Sequence, residues 1–261
     1  MGAAKAGAEG GRDPDLVGSF EKGLRVLRTF DAEHPSMSLS EVAERAGLSR
    51  AAARRFLHTL VHLGYARLED KRFSLSPRVL ELGFAYLSSL GLPEVLTPAL
   101  KEVSERLCES SSASVLDGLD IVYVARVQAS RIMSVRLGIG ARLPALHTSM
   151  GRVLLAHAPQ PIRERALAAY DGAPLTEHTL TDRTVLEARL TDAQAEGYCL
   201  VDQELELGLR ALAVPVRDRS GRVVAAMNVS GHAARVTAER MRSEYLPVLR
   251  AAAEILQASL T

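Results

Sequence analysis

The chain has 261 residues, with 32 Lys+Arg against 31 Asp+Glu, 47% hydrophobic and 4% aromatic side chains, two cysteines and no tryptophan. That length suits one large domain or two modest ones, and the apolar fraction can fill a core, so disorder throughout is excluded. A formal charge of +1 excludes a globally basic chromatin-coating or polybasic membrane protein, and any nucleic-acid surface has to be a local patch.

Cys108 and Cys199 are too few for a disulfide scaffold and too far apart for a Cys-x-x-Cys clip, which points to a reduced, cytoplasmic setting. Residues 1–15, rich in Gly and Ala and lacking an apolar secretory segment, read as a mobile tail. No stretch reaches the roughly 18 apolar residues that would cross a membrane.

From Leu16 the pattern becomes helical: Leu16, Phe20, Leu24 and Leu27 share a face, Ser19 stands where an N-cap belongs, and the helix is expected to end between Phe30 and Glu33. Next comes Ser38-Leu39-Ser40-Glu41, a capping box, opening a short helix that Gly47 stops. After the turn Gly47-Leu48-Ser49, with Ser49 placed to cap, a second helix runs over 50–63. Two short helices around a Gly-containing turn are a helix-turn-helix signature.

On a wheel of about 100° per residue, Ala53, Phe56, Leu57, Leu60 and Leu63 of the second helix form one face, and Arg50, Ala51, Arg54, Arg55, His58 and His62 the other. Between Arg45 and Leu68 there are five Arg and no acid. Such a face offers guanidinium forks to phosphates or guanine edges, with Ala51 and Ala52 small enough for a deep approach to the major groove. A solvated basic face on an ordinary bundle helix has the same look. The continuation favours the DNA reading: two short strands over 64–68 and 72–75 around Glu69-Asp70-Lys71, with Leu68, Phe73 and Leu75 inward, make a wing. Residues 1–80 carry a net +3 and the remainder −2.

A connector helix is predicted from Arg78 to about Ser89, and Gly91-Leu92-Pro93 breaks it before a long amphipathic helix over 95–108. Then the period shifts to two, predicting strands over 112–117, 121–127 and 132–137. Helices follow over 149–157, 162–170 and 185–196, then strands over 198–201, 211–217 and 223–230, and a last helix from Thr237 with Pro247 as a kink. This reads as a mixed α/β sheet domain.

No nucleophile elbow, P-loop, dinucleotide fingerprint or His-Glu-x-x-His occurs, and the scattered His and Cys lack ligand spacing, so no catalytic residue, cofactor or metal is expected. A ligand pocket fits better. Thr148-Ser149-Met150-Gly151 opens a helix whose N–H groups and dipole suit an anion, although routine capping uses the same residues. Asp202, Glu204 and Glu206 crowd a strand end and equally suit a solvated acidic loop. Asn228 and Ser230 share one face of an apolar strand, where a ligand or a neighbouring backbone has to satisfy them.

Four segments carry a resemblance: SFEKGLRVLRTFD, SLSEVAERAGLSRAAARRFLHTLVHLGYA, LPALHTSMGRVLLA and GYCLVDQELELGLRALAVPVRDRSGRVVAAMNVSG. From Gly18 to Leu260 the chain resembles the IclR family of bacterial transcriptional regulators. Its form is most similar to the branch controlling the β-ketoadipate pathway, through which aromatic acids such as protocatechuate and 4-hydroxybenzoate are degraded.

The resemblance implies an α+β chain: tail 1–15, winged helix-turn-helix 16–76, linker helix 77–94, and a GAF/profilin-like α/β effector-binding domain over 95–261. The implied partners are double-stranded operator DNA, a small organic acid (an aromatic acid or one like β-ketoadipate) and a second copy, as homodimer or tetramer. Ser49, Arg50, Ala51, Arg54 and Arg55 would touch DNA, with wing support from Lys71 and Arg72. The effector cavity would be lined by Ser149, Met150, Gly151, Asp202, Glu204, Leu209, Ala211, Asn228 and Ser230.

The chain departs from the family at Ala211, where other members carry Cys, and at Asn228, where Ser is found, so the glyoxylate/pyruvate pocket of the family's namesake does not transfer. Because Asp202 and Glu204 would repel a carboxylate, Arg136, Arg142 and Arg210 are candidate compensating partners. The competing readings are an enzyme of small aromatic or keto acids carrying a basic N-terminal domain, which turnover by residues 95–261 would reveal, and an RNA-binding module, disfavoured by the shortage of aromatic stacking platforms.

Overall fold

The computed structural model describes residues 16–83, 91–129 and 138–260. The chain divides into two compact units, Met1–Tyr86 and Leu87–Thr261. The predicted tail over 1–15, residues 84–90 of the predicted connector helix and the predicted strand over 132–137 lie outside the described residues.

The first unit contains helices α1 (Gly18–Leu27), α2 (Leu39–Arg45) and α3 (Arg50–His62), and strands β1 (Ser36–Ser38), β2 (Ala66–Glu69) and β3 (Arg72–Leu75). Both halves of the capping box close: Ser38 Oγ accepts from the Glu41 N–H at 3.4 Å, and Glu41 Oε2 accepts from the Ser38 N–H at 2.7 Å. Ser49 Oγ caps α3 by accepting from the Ala52 N–H at 3.2 Å. Between these helices Gly47 adopts φ 61°, the left-handed turn that costs glycine least. The strands pair as an antiparallel sheet in the order β1-β3-β2. At the hairpin tip Asp70 and Lys71 have φ 47° and 63°, as a tight two-residue connection requires.

Val26, Met37, Val42, Leu57, Leu60 and Phe73 fill this unit's core. The phase predicted for α1 is corrected: Leu16 is 73% exposed and Phe20 68%, with Leu24 also exposed, whereas Val26 is fully buried. Helix α1 starts at Gly18, with Val17 rather than Ser19 as N-cap. Gly23, Val26 and Phe30 therefore lie on the inward side, Gly23 against the Phe56 ring. Leu63 and Leu68, also expected inside, are exposed. Leu63 sits past the end of α3 where the chain turns at Gly64, and Leu68 lies near the tip of the wing on the outer strand β2.

The second unit opens with α4 (Leu92–Leu107), followed by β4 (Ser110–Asp117), β5 (Asp120–Val127), β6 (Arg142–Pro144), α5 (Ser149–His157), α6 (Gln160–Ala169), α7 (Arg183–Glu196), β7 (Cys199–Asp202), β8 (Leu209–Arg217) and β9 (Val223–His232). A short turn Ala238–Arg240, a π-helical turn Met241–Tyr245 and α8 (Leu246–Gln257) complete it. Thr237, from which the last helix is expected to run, caps that ending, its side chain accepting from the Arg240 N–H. The widened turn directly precedes Pro247, which lacks the N–H a regular helix needs there.

The sheet runs β6-β5-β4-β9-β8-β7, and every described pair is antiparallel. Two meanders meet at the β4–β9 pairing, and the segment α5–α7 links the opposite edges β6 and β7. Helices α4 and α8 cover one face, where Leu96, Leu100, Leu249 and Leu256 pack on Leu212, Val214, Met227 and Val229. Helices α5 to α7 share the other face with Ile121, Tyr123, Val201, Ala213 and Ala226. Each fully buried large aliphatic side chain contributes roughly 1.5–3 kcal/mol, so both faces of the sheet anchor the fold.

Candidate functional site

In the first unit, α3 presents Arg50, Ala51, Arg54 and Arg55 to solvent, with the capping Ser49 at its start and Ala53, Leu57 and Leu60 on the buried side. Among the described residues, Arg50, Arg54 and Arg55 engage in no side-chain hydrogen bond or ion pair. Thirteen residues make a rod of about 20 Å, enough to lie along a major groove. In the wing, Lys71 is exposed at the tip. Arg72 is engaged: its Nη2 donates to the Ser36 carbonyl at 2.6 Å, and Glu41 lies 3.6 Å from Nη1.

In the second unit a cavity opens between the sheet and the N-terminus of α5. It is lined by Tyr123, Arg126, His147, Thr148, Ser149, Val201, Leu205, Leu209, Ala211, Asn228 and Ser230. Strand register builds its floor. One row crosses Arg126, Ser112, Asn228 and Ala213; the next crosses Ser110, Ser230, Ala211 and Val201. Arg126 is held by Nη1 donating to Ser112 Oγ at 3.1 Å.

Among the described residues, Arg126 Nε, His147 Nδ1, Ser149 Oγ and Asn228 Oδ1 are buried with no hydrogen-bond partner. Orphaned buried polar atoms are costly and uncommon, and four of them around one concavity leave hydrogen-bonding capacity that a polar ligand or water can take up. Burial, and then the Arg152 guanidinium, hold His147 below the ordinary imidazole value, which favours the uncharged ring. Burial also pushes the Tyr123 phenol up to about 12, leaving Arg126 the cavity's charged lining residue.

Beside the cavity, Arg152 of α5 grips Glu204: Nη1 donates to Oε1 at 2.7 Å and Nη2 to Oε2 at 2.5 Å, while Nε donates to the Leu146 carbonyl at 2.7 Å. Arg152 is 1% exposed and Glu204 6%. At such burial the two charges have to cancel, because either alone would carry a large desolvation penalty.

Two family models match this chain: the IclR helix-turn-helix domain over residues 19–70 and the bacterial transcriptional regulator IclR C-terminal domain over residues 84–258. The chain belongs to the IclR family of bacterial transcriptional regulators. It is 43% identical to the Pca regulon regulatory protein of Pseudomonas putida, across 94% of this chain and 84% of the relative. A transcriptional regulator of Rhodococcus sp. RHA1 superposes with TM-score 0.84 at 51% identity, covering 94% of this chain and 98% of that one. An IclR homologue from Microbacterium hydrocarbonoxydans, solved with 4-hydroxybenzoate, also superposes with TM-score 0.84 at 27% identity, over 93% and 98% of the two chains. The alternative of an enzyme with a basic appendage falls away, since the family consists of DNA-binding regulators.

Within this IclR effector domain, five of the residues singled out from the sequence line the cavity: Ser149, Leu209, Ala211, Asn228 and Ser230. Met150 lies beneath it, its Sδ accepting from Ser114 Oγ at 3.3 Å. Gly151 packs on the Ala145 backbone, Glu204 is spent on Arg152, and Asp202 pairs with Arg210 at 2.7 Å. Of the arginines proposed as compensating cations, Arg142 is bound to Asp117 and Asp120 at the surface, Arg210 is tied to Asp202 and to the Ala233 and Val236 carbonyls, and Arg136 lies outside the described residues. Sequence reasoning did not place Tyr123, Arg126, His147, Val201 or Leu205 in the cavity. Position gave a faint signal for Arg126: it is a lone cation near the end of an apolar strand.

Proposed function

We propose that this IclR regulator senses a small aromatic monocarboxylate and controls genes for the catabolism of aromatic acids, working on operator DNA in the bacterial cytoplasm. The observation that carries the ligand class is the set of orphaned atoms around the cavity. Arg126 Nε is a donor that calls for a carboxylate, and Asn228 Oδ1 is an acceptor that calls for a hydroxyl. Aliphatic walls from Val201, Leu205, Leu209 and Ala211 suit a ring between them. Charge counting favours one carboxylate over two, because Arg126 is the charged lining residue and the adjacent Arg152 and Glu204 neutralise each other. A ring hydroxyl on a benzoate meets these demands better than the dianion β-ketoadipate does, and the Microbacterium homologue with 4-hydroxybenzoate supports that chemistry.

DNA contact is assigned to Ser49, Arg50, Ala51, Arg54 and Arg55 of α3, with Lys71 and Arg72 on the wing. The exposed strip formed by Leu16 and Val17 just before α1 and Phe20 and Leu24 on it is apolar surface of the kind a second copy covers, in keeping with a homodimer or tetramer. Effector binding acts by favouring one of two arrangements of the DNA-reading modules through differential affinity. The test is calorimetric titration with hydroxybenzoates, benzoate and β-ketoadipate. Hydroxybenzoates bind best, and Arg126→Met loses about 1.5–3 kcal/mol of that affinity while keeping its melting temperature. Equal affinity of Arg126→Met and wild type would overturn the assignment.

A further inference from the structure

We propose that residues 203–208 form a strap over the effector cavity and that Glu204, through Arg152, is the positioning residue that latches it; the inference rests on the effector reading above. The strap is bounded by two left-handed residues, Gln203 with φ 60° and Gly208 with φ 81°. A Cβ at Gly208 would stand 2.9 Å from the His232 ring, so its backbone lies against the end of β9. The ends of the strap close on each other: the Gln203 N–H donates to the Leu209 carbonyl at 2.7 Å, and the Gly208 N–H donates to Gln203 Oε1 at 3.0 Å. Between them Leu205 projects into the cavity lining.

The latch lies next to Leu205 in sequence. Glu204 takes the bidentate grip of Arg152, accepts the Leu180 N–H at 3.2 Å, and its carbonyl accepts from Thr179 Oγ1 at 2.7 Å. Arg152 holds the Leu146 carbonyl, one residue before the cavity-lining His147, and stands three residues after the cavity-lining Ser149. One ion pair therefore fixes the strap to both segments that face the ligand. Short tethers of this kind set how quickly a ligand escapes.

The test uses the full chain immobilised for surface plasmon resonance with 4-hydroxybenzoate, together with hydrogen exchange of the ligand-free protein. Glu204→Gln breaks the pair; Arg152→Met with Glu204→Leu removes both charges, a replacement that folds tolerate, and carries the test if the single variant fails to fold. The expected result is dissociation about tenfold faster with association no slower, and faster exchange at 203–208 but not in α7. Dissociation within about twofold of wild type and unchanged exchange at 203–208 in the folded double variant would overturn the latch. If the wild type takes up none of the acids, the effector reading fails, and the exchange measurement still decides the strap.

Discussion

The Ala145 carbonyl oxygen lies 2.1 Å from the point where a Cβ on Gly151 would stand. The first turn of α5 thus rests on the backbone that delivers His147 to the cavity, and no rotamer change relieves a contact made with main chain.

Gly151→Ala consequently forces α5 and the 145–147 turn apart. A cost of about 3 kcal/mol is expected, which for a domain of this size lowers the melting temperature by roughly 6–12 °C. Effector affinity falls in the same variant because His147 and Ser149 move relative to the sheet. Differential scanning calorimetry and titration together check this; a wild-type melting temperature would show that the helix shifts at no cost.

Arg54→Ala and Arg55→Ala should each weaken operator binding by about 1–3 kcal/mol and leave the effector-induced rise in melting temperature intact, since neither side chain has a partner within the described protein. Fluorescence anisotropy at fixed salt measures it. Undiminished binding by both variants removes α3 from the recognition role.

Lys71 and Arg72 adjoin in sequence but should separate in experiment. Lys71→Ala reduces the slope of log affinity against log salt by about one without changing stability. Arg72→Ala lowers stability as well, because its guanidinium also ties β3 to the Ser36 carbonyl. A stability loss for Lys71→Ala, or none for Arg72→Ala, would reverse the assignment.

Local chemistry made much of this readable in advance. The Ser38–Glu41 box, the Ser49 cap and the turn at Gly47 are each decided within a few residues, and α5 begins at the predicted Ser149 because Thr148 caps it. What escaped was set by distant partners. Arg126 belongs to the cavity only because β5, β4 and β9 align it with Ser112 and Asn228. Strands β1 and β6, three residues each, exist through their neighbours' pairing. The apolar periodicity of α1 suggested an inward stripe at Leu16, Phe20 and Leu24, whereas the unit's own core takes Val26.

Acid should destabilise the ligand-free protein. Burial holds both His147 and His157 below the ordinary imidazole value, so unfolding takes up protons as the pH drops below about 6.5. Their contribution is complete above that value and is lost as the pH falls toward the depressed folded-state values. The melting temperature at about pH 5.5 should lie below that at about pH 7.5, and the difference should shrink in a His147→Asn, His157→Asn double variant. A melting temperature that rises on acidification would contradict the sign.

Strand β9 alternates between two tasks: Ala225, Met227 and Val229 enter the core under α4 and α8, while Asn228 and Ser230 face the cavity. Tolerance to substitution along the strand should therefore have a period of two. Positions 225, 227 and 229 answer to volume alone, and positions 228 and 230 answer to what the ligand offers. Since the two sets share a backbone but no side-chain space, effector preference can drift through 228 and 230 while the packing that keeps the sheet folded stays unaltered.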